Sequence, residues 1–427
     1  EHSVIYYARS LKADLCTLLS DGWAFCYDDK TEVLTESGFK YFKDLTLEDK
    51  IATLSSDGYL EYQKPSGIYR FQYKGKMLRV VNSHQIDLLV TPNHYLYVKV
   101  PQKGYNKNIK QEFKLVRATE VYASTRATFK KNAKWRGVES STFKLPGSDL
   151  AFNMEDWVEF LGYYFSEGYV ADSKYVMISQ TANPEKIKII EENIKKLNLP
   201  YKKVNGGFVI KCQELAKYLE QFGNRSINKF LPKELKQLSP SLLRRFLDAY
   251  KLGDGFENVL YTASKQLADD LQEVALKAGY GTNLMIDNRV GRETIVLGRK
   301  VTQRHPLYCV TLVSKQVEPQ LFKKRGAKAK VSRMEWVDYD GYVYCCTVPN
   351  HVIFVRRNGK TCWCGNSWFP RKLPITLYQG PLDHTDYPIE IQNIMREYTY
   401  RVAPSKWTVK EWASYDPPIE FTWIPHG

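Results

Sequence analysis

The chain contains no run of about 18 apolar residues, which argues against a membrane-spanning helix. It opens on EHSVIYYARSLKADL, with neither an initiator Met nor a basic-then-apolar leader, and is therefore expected to be a piece of a longer protein. Cysteine is scarce: eight in 427 residues cannot build a disulfide scaffold, which favours a reducing cytoplasm. Acidic charge is also short. Lys and Arg number 62 against 47 Asp and Glu, a net +15 that points to a polyanionic partner, nucleic acid being the commonest. What the chain does hold is 43% hydrophobic residues, enough to bury real cores and to exclude disorder. Its length predicts two or more domains.

The charge is unevenly spread. Residues 1–25 and 367–427 are each net −1, so the middle, 26–366, carries +17. Within 26–100, alternating apolar positions, β-branched residues and the turn signals ESG and SDG predict short strands (TEVLTESGFKYF, DKIATLSSDGYLEYQ, KMLRVVNSHQIDLLVTPNHYLYV). A basic stretch, Lys130–Arg136 (KKNAKWR), reads as a linker. From about Met154 the period becomes helical. MEDWVEFLGYYFSEGYV and PSLLRRFLDAYKLGDGF each end on an acid followed by Gly, a pattern that suits a helix C-terminal stop. Each is followed by β-like segments and another amphipathic helix, NPEKIKIIEENIKKLNLP or SKQLADDLQEVALKAGYG, an internal repeat of about 87 residues from Glu167 to Asp254. The β pattern resumes near Arg333.

Four ordered features bracket this middle: Cys26 opening CYDDKTEVLTESG, the Thr91-Pro92-Asn93-His94 tetrapeptide, VYCCTVPNHVIFV with His351, and Asn366–Ser367 closing GKTCWCGNS. Together they resemble an intein, a self-splicing element of the hedgehog/intein type, over residues 26–366. The resemblance implies a mainly β, horseshoe-like splicing domain and a set of roles. Cys26 would attack the carbonyl of Phe25 to give a thioester, because a thiol is nucleophilic and a good leaving group. His94 would polarise that bond and protonate the departing nitrogen, with Thr91 hydrogen-bonding the same site. Ser367 would take over the acyl group, and Asn366 would cyclise to free the downstream flank with His351 moving the proton. No cofactor is implied for splicing.

Two positions depart from the usual family pattern. Gly365 stands where His commonly precedes the terminal Asn, which puts more weight on His351. Cys345 stands where Asp is common and could modulate or relay the acyl group. The cluster Cys345, Cys346, Cys362 and Cys364 could suggest zinc, but CC and CxC lack the usual C-x₂₋₄-C pairs, so small core residues on neighbouring strands are expected.

FLGYYFSEG (160–168) and LDAYKLGDG (247–255) resemble the two LAGLIDADG motifs of homing endonucleases. That resemblance implies an inserted α+β domain with a pseudo-two-fold repeat. Its two helices would pack through Gly162 and Ala249 and bring Glu167 and Asp254 together to hold Mg²⁺, one repeat cutting each strand of double-stranded DNA. The β segments would form a basic saddle, with Lys130, Lys131, Arg136, Lys323, Lys324 and Arg325 as candidate phosphate contacts. The expected organisation is an upstream host flank (1–25), splicing domain (26–135 and 331–366), endonuclease (136–330) and downstream host flank (367–427). A monomer without a membrane partner is expected, acting on its own flanks in cis and on the DNA of an allele lacking the insert. The rival expectation is a splicing element whose insert only binds DNA or is catalytically inactive.

Overall fold

The computed structural model describes residues 26–101, 111–180, 183–296, 299–322 and 332–366, together with short strands at 376–377, 401–403 and 422–423. The described chain is mostly β sheet. Six helices accompany the strands among the described residues: α1 (Ala118–Ala123), α2 (Met154–Glu167), α3 (Pro184–Lys196), α4 (Gln213–Glu220), α5 (Pro240–Asp254) and α6 (Lys265–Lys277). Among the described residues no helix is long and apolar enough to cross a membrane.

Residues far apart in sequence close the first half. The 16-residue strand Gly67–Asn82 pairs antiparallel along its full length with Ser332–Thr347, from Asn82↔Ser332 to Gly67↔Thr347. The terminal hairpin, Val352–Arg357 and Lys360–Gly365, lies beside Thr31–Thr35. Both ends of the middle segment thus enter one module. Arg126–Phe129 pairs with Gln320–Phe322, so the intervening stretch starts and ends on one ladder.

Between these points a helix–hairpin–helix–two-strand plan occurs twice. Gly168–Ala171, Tyr175–Ser179, Tyr201–Val204 and Gly207–Ile210 form a four-stranded sheet in the order first, second, fourth, third. Gly255–Phe256, Val259–Thr262, Gly281–Asp287 and Leu307–Val313 repeat that order, with an extra hairpin (Glu293–Val296 and Arg299–Thr302) before the last strand. Alternation sets the faces. Val170, Val176, Ile178, Phe208 and Ile210 are buried, whereas Tyr169, Tyr175 and Lys202 point to solvent.

Helices α2 and α5 cross at the centre. Asn153 caps α2 by accepting from the Glu155 and Asp156 amides at 2.9 and 3.3 Å, and Ser239 caps α5 ahead of Pro240. A Cβ on Gly162 would lie 2.5 Å from Ala249 Cβ and 2.8 Å from the Phe246 carbonyl oxygen, so the small-residue contact read from sequence is present. The stop glycines follow the last helical residues, as the sequence indicates. Gly168 and Gly255 are extended (φ −99° and −139°), not left-handed. They are required because a Cβ would strike the preceding turn, at 2.8 Å from the Tyr164 oxygen and 2.6 Å from the Lys251 oxygen.

The two halves share structure. The second repeat's sheet continues through Asn283↔Lys360 into the terminal hairpin, giving one ten-stranded sheet. A hydrophobic cluster draws Leu34, Leu54, Leu60, Val352, Phe354 and Trp363 from the first half and Leu276 from α6. The Lys130–Arg136 stretch, expected as a linker, is packed into this seam: Ala133 is buried, Trp135 Nε1 donates to Leu238 O at 3.1 Å, and Lys131 is fully buried.

Candidate functional site

The two ends of the middle segment meet. Cys26 N donates to Thr91 Oγ1 at 3.0 Å, and Thr91 N donates back to Cys26 O at 3.0 Å. Thr91 and His94 sit on the turn between strands Ile86–Val90 and Tyr95–Lys99, where His94 N donates to Thr91 O at 3.1 Å. All three side chains are buried. Burial, reinforced by the neighbouring Cys345, pushes the Cys26 thiol well above its ordinary range, so it rests protonated.

At the other end, the turn Val348–His351 folds over Asn366. Asn366 N donates to His351 O at 3.1 Å, its Nδ2 donates to Val348 O at 3.3 Å, and its Oδ1 lies 3.3 Å from His351 Nδ1. His351 adopts a left-handed backbone (φ 56°). For a residue with a Cβ that geometry costs on the order of 1 kcal/mol, and it is held by the turn that presents the imidazole to Asn366.

Tyr27 ties the junctions together. Its backbone bridges Tyr344 in both directions (2.8 and 2.9 Å), its ring stacks on Phe42 and meets His94 edge-on at 4.3 Å, and its hydroxyl donates to Gly365 O. Cys364 Sγ lies 3.5 Å from His94 Nε2. Neither Tyr27 nor Cys364 was legible as a site residue, since nothing in their spacing marks them. Ser367 lies outside the described residues. Cys345, Cys346, Cys362 and Cys364 are all buried in the apolar cluster around Cys26. Burial raises three of these thiols, that of Cys362 to about 12.

A second constellation lies at the α2–α5 crossing. The helix ends touch: a Cβ on Gly253 would lie 2.9 Å from Glu167 Cγ. Burial, then the charge of Glu167, push the Asp254 carboxyl up to about 7, and burial raises Glu167 as well. Gln180 Nε2 donates to Glu167 Oε1 at 3.1 Å. Lys229, which the sequence reading did not single out, is buried beneath the pair and donates to the carbonyls of Tyr164, Phe165 and Gly168 at 3.0, 3.0 and 2.7 Å. Burial brings its ammonium down to about 8, against the opposing pull of Asp254 and Glu167. Among the described residues no cluster of three or more His, Cys, Asp or Glu could hold a metal. Two crowded carboxylates are instead the donor set of a hard cation that keeps several waters, and Glu167 and Asp254 fit Mg²⁺ on that ground.

One expected phosphate contact is corrected. Lys131 is fully buried, its ammonium donating to Gln85 O, Asn283 Oδ1 and Thr361 O at 2.7, 2.9 and 2.7 Å, so it cannot reach a ligand. Lys130 is half-buried and bonds Asn132 Oδ1 at 3.3 Å. Arg136 remains exposed, stacked over Tyr59 at 4.1 Å. Lys323, Lys324 and Arg325 lie outside the described residues. Exposed Arg292 and Arg304, flanking the extra hairpin, are basic positions the sequence reading passed over.

The described site is thus a closed junction of thiol, imidazole and carboxamide groups. No family model matches the chain. It is 25% identical over 406 residues to the C-terminal section of a DNA-directed RNA polymerase β subunit of Stigeoclonium helveticum, an alignment covering 82% of this chain and 37% of that protein. It is 22% identical over 467 residues to an ATP-dependent Clp protease proteolytic subunit of Chlamydomonas moewusii, covering 80% and 45%. The chain therefore spans less than half the length of these curated relatives. Among solved structures, a glutathione-linked, splice-inactive class 3 split intein overlaps 81% of this chain and 100% of its own, at 8% identity and a TM-score of 0.25, a likeness too slight to bear on the fold.

Proposed function

We propose that residues 26–366 are an intein that excises itself and joins its flanks. The observation that carries this reading is the closure of Cys26, Thr91 and His94 against His351 and Asn366 through Tyr27 and Gly365. The relatives support it. Two enzymes as different as a polymerase subunit and a protease subunit match about four-fifths of the chain, the share that 26–366 makes up, as expected of an element carried in unrelated hosts.

The chemistry follows from the groups in place. Cys26 Sγ loses its proton as it attacks the Phe25 carbonyl, while Thr91 holds the Cys26 nitrogen and the His94 imidazole protonates it as the C–N bond breaks. The Ser367 hydroxyl takes the acyl group from sulfur, which leaves as a thiol. Asn366 Nδ2 then attacks the Asn366 carbonyl carbon, releasing the Ser367 amine and forming a succinimide. Nδ2, oriented by its hydrogen bond to Val348 O, loses one proton as it attacks and the departing Ser367 amine gains one, with His351 as the imidazole that moves it. The ester last shifts to the Phe25–Ser367 amide. Each exchange is near energy-neutral, and proximity supplies the rate. Cys26→Ala should abolish cleavage upstream and Asn366→Ala cleavage downstream. Normal ligation in either variant would end this reading.

The insert is read as a LAGLIDADG homing endonuclease. Its support is the twice-used strand order and the meeting of Glu167 and Asp254 at the α2–α5 ends. When bound, Mg²⁺ would supply an activated water and charge stabilisation. The protein's own part is to hold the two carboxylates at one point and present open sheet faces to the major groove. A supercoiled plasmid bearing the joined flank-coding sequence tests this: Mg²⁺-dependent linearisation, lost in Asp254→Asn, supports cleavage. A plasmid that stays intact while the protein retards it supports an insert that only binds DNA.

A further inference from the structure

We propose that Tyr27 is a positioning residue that couples the two splice junctions, holding the backbone of Gly365 so that Asn366 is set for cyclisation; this rests on the splicing reading. Tyr27 is the residue after the upstream nucleophile, yet its hydroxyl is spent on the carbonyl preceding the downstream asparagine, 338 residues away. The phenol is fully buried and rigidly placed. Backbone bridges to Tyr344 and Val90 fix its main chain, and Phe42 and His94 fix its ring. Burial, with the neighbouring cysteine thiols, keeps the phenol protonated and hence a donor.

Gly365 pairs with Val352 at the end of the terminal hairpin but offers no side chain of its own. Its site is closed by the Tyr95 carbonyl and by Leu115 Cδ2, which would lie 3.0 Å from any Cβ, so no side chain at this position can steer the asparagine. The hairpin pairing holds this backbone, and the Tyr27 hydroxyl adds a bond to its carbonyl from outside the hairpin. Asn366 has its amide on His351 and its carboxamide between Val348 O and His351 Nδ1. Rotation of the Gly365–Asn366 peptide would carry Nδ2 off line from the Asn366 carbonyl, and small displacements of that kind cost large factors in rate. The same ring touches His94, so a shift at the upstream junction is transmitted to the downstream one through one rigid side chain.

Tyr27→Phe keeps the ring and removes the hydroxyl, and with it the bond to Gly365 O and the contact with the Cys364 thiol. The experiment uses the full chain in two backgrounds: Cys26→Ala, which leaves downstream cleavage alone, and Asn366→Ala, in which added thiol reports the upstream thioester. Tyr27→Phe should slow downstream cleavage about tenfold, the order expected for one buried hydrogen bond, and alter thiol-induced upstream cleavage far less. Replacing Tyr27 with 3-fluorotyrosine, a stronger donor of similar size, should restore the downstream rate. Equal slowing of both steps, no slowing, or a fluorotyrosine protein as slow as the Phe variant would overturn the proposal. If the chain with Tyr27 intact cleaves at neither junction, the splicing reading fails first. If it cleaves at both and the Phe variant slows them equally, the coupling alone fails.

Discussion

Arg356 on the terminal hairpin and Asp269 on α6 form a buried ion pair at 2.5 Å, and the same guanidinium clamps Glu32 at 2.6 Å and Gln272 at 2.7 Å while stacking on Phe39. One side chain thus joins the strand Thr31–Thr35, the terminal hairpin and α6. Stripping one partner from such a network leaves uncompensated buried carboxylates. Arg356→Ala should therefore destabilise the protein by about 3–5 kcal/mol. Denaturant unfolding followed by Trp fluorescence should show a single, earlier transition. Two separated transitions in the unsubstituted protein would show that the halves are independent.

Lys131 sits at the same seam. Burial lowers its ammonium from the ordinary range to about 7. Between that value and its ordinary one the unfolded chain binds more protons than the folded chain, so Lys131 makes stability rise as pH increases from about 7 towards 10. Lys131→Met should flatten that rise. Urea midpoints at pH 7 and 9.5 for both proteins measure it, and an unchanged slope would contradict the assignment.

Asp254 behaves with the opposite sign. Its carboxyl is raised to about 7, so in metal-free protein the folded state pays for ionising it, and stability falls as pH rises from about 4 to above 7. Asp254→Asn should raise Tm at pH 8 and leave it nearly unchanged at pH 4. Added Mg²⁺ should raise Tm at pH 8 in the parent and not in the variant. Equal Tm values at pH 8 would mean that burial and the neighbouring Glu167 do not hold the Asp254 carboxyl up.

Helix contact at Gly162 leaves no room for even one carbon. Gly162→Ala should force α2 from α5 and cost about 1–3 kcal/mol, as overpacking does, despite the higher helix propensity of Ala. A more stable variant, by thermal melting, would refute the close crossing.

Much of this was readable along the chain. Alternation gave the strands from Thr31 to Lys99, and the Glu167-to-Asp254 spacing revealed the repeat, because both signals are local and periodic. The order of Cys26, Thr91, His94, His351 and Asn366 identified groups that the structure brings to one junction. What escaped is non-local. A basic stretch looks the same whether its lysines are solvated or, like Lys131, sunk into a three-acceptor cage built by residues 46, 152 and 230 positions away. Tyr27 and Lys229 were invisible for the same reason, since each acts on a carbonyl supplied by a distant segment. The glycines after Glu167 and Asp254 were rightly placed as helix stops, but the crowding by Tyr164 and Lys251 that requires them was not legible.

The most direct measurement is the intact mass of the products when the full chain of 49.6 kDa is expressed. The account predicts a released 341-residue piece, residues 26–366, ending in a succinimide or its hydrolysis product, together with a joined peptide in which Phe25 precedes Ser367. A single uncleaved species at the full mass, unchanged over time in a reducing buffer, would contradict it.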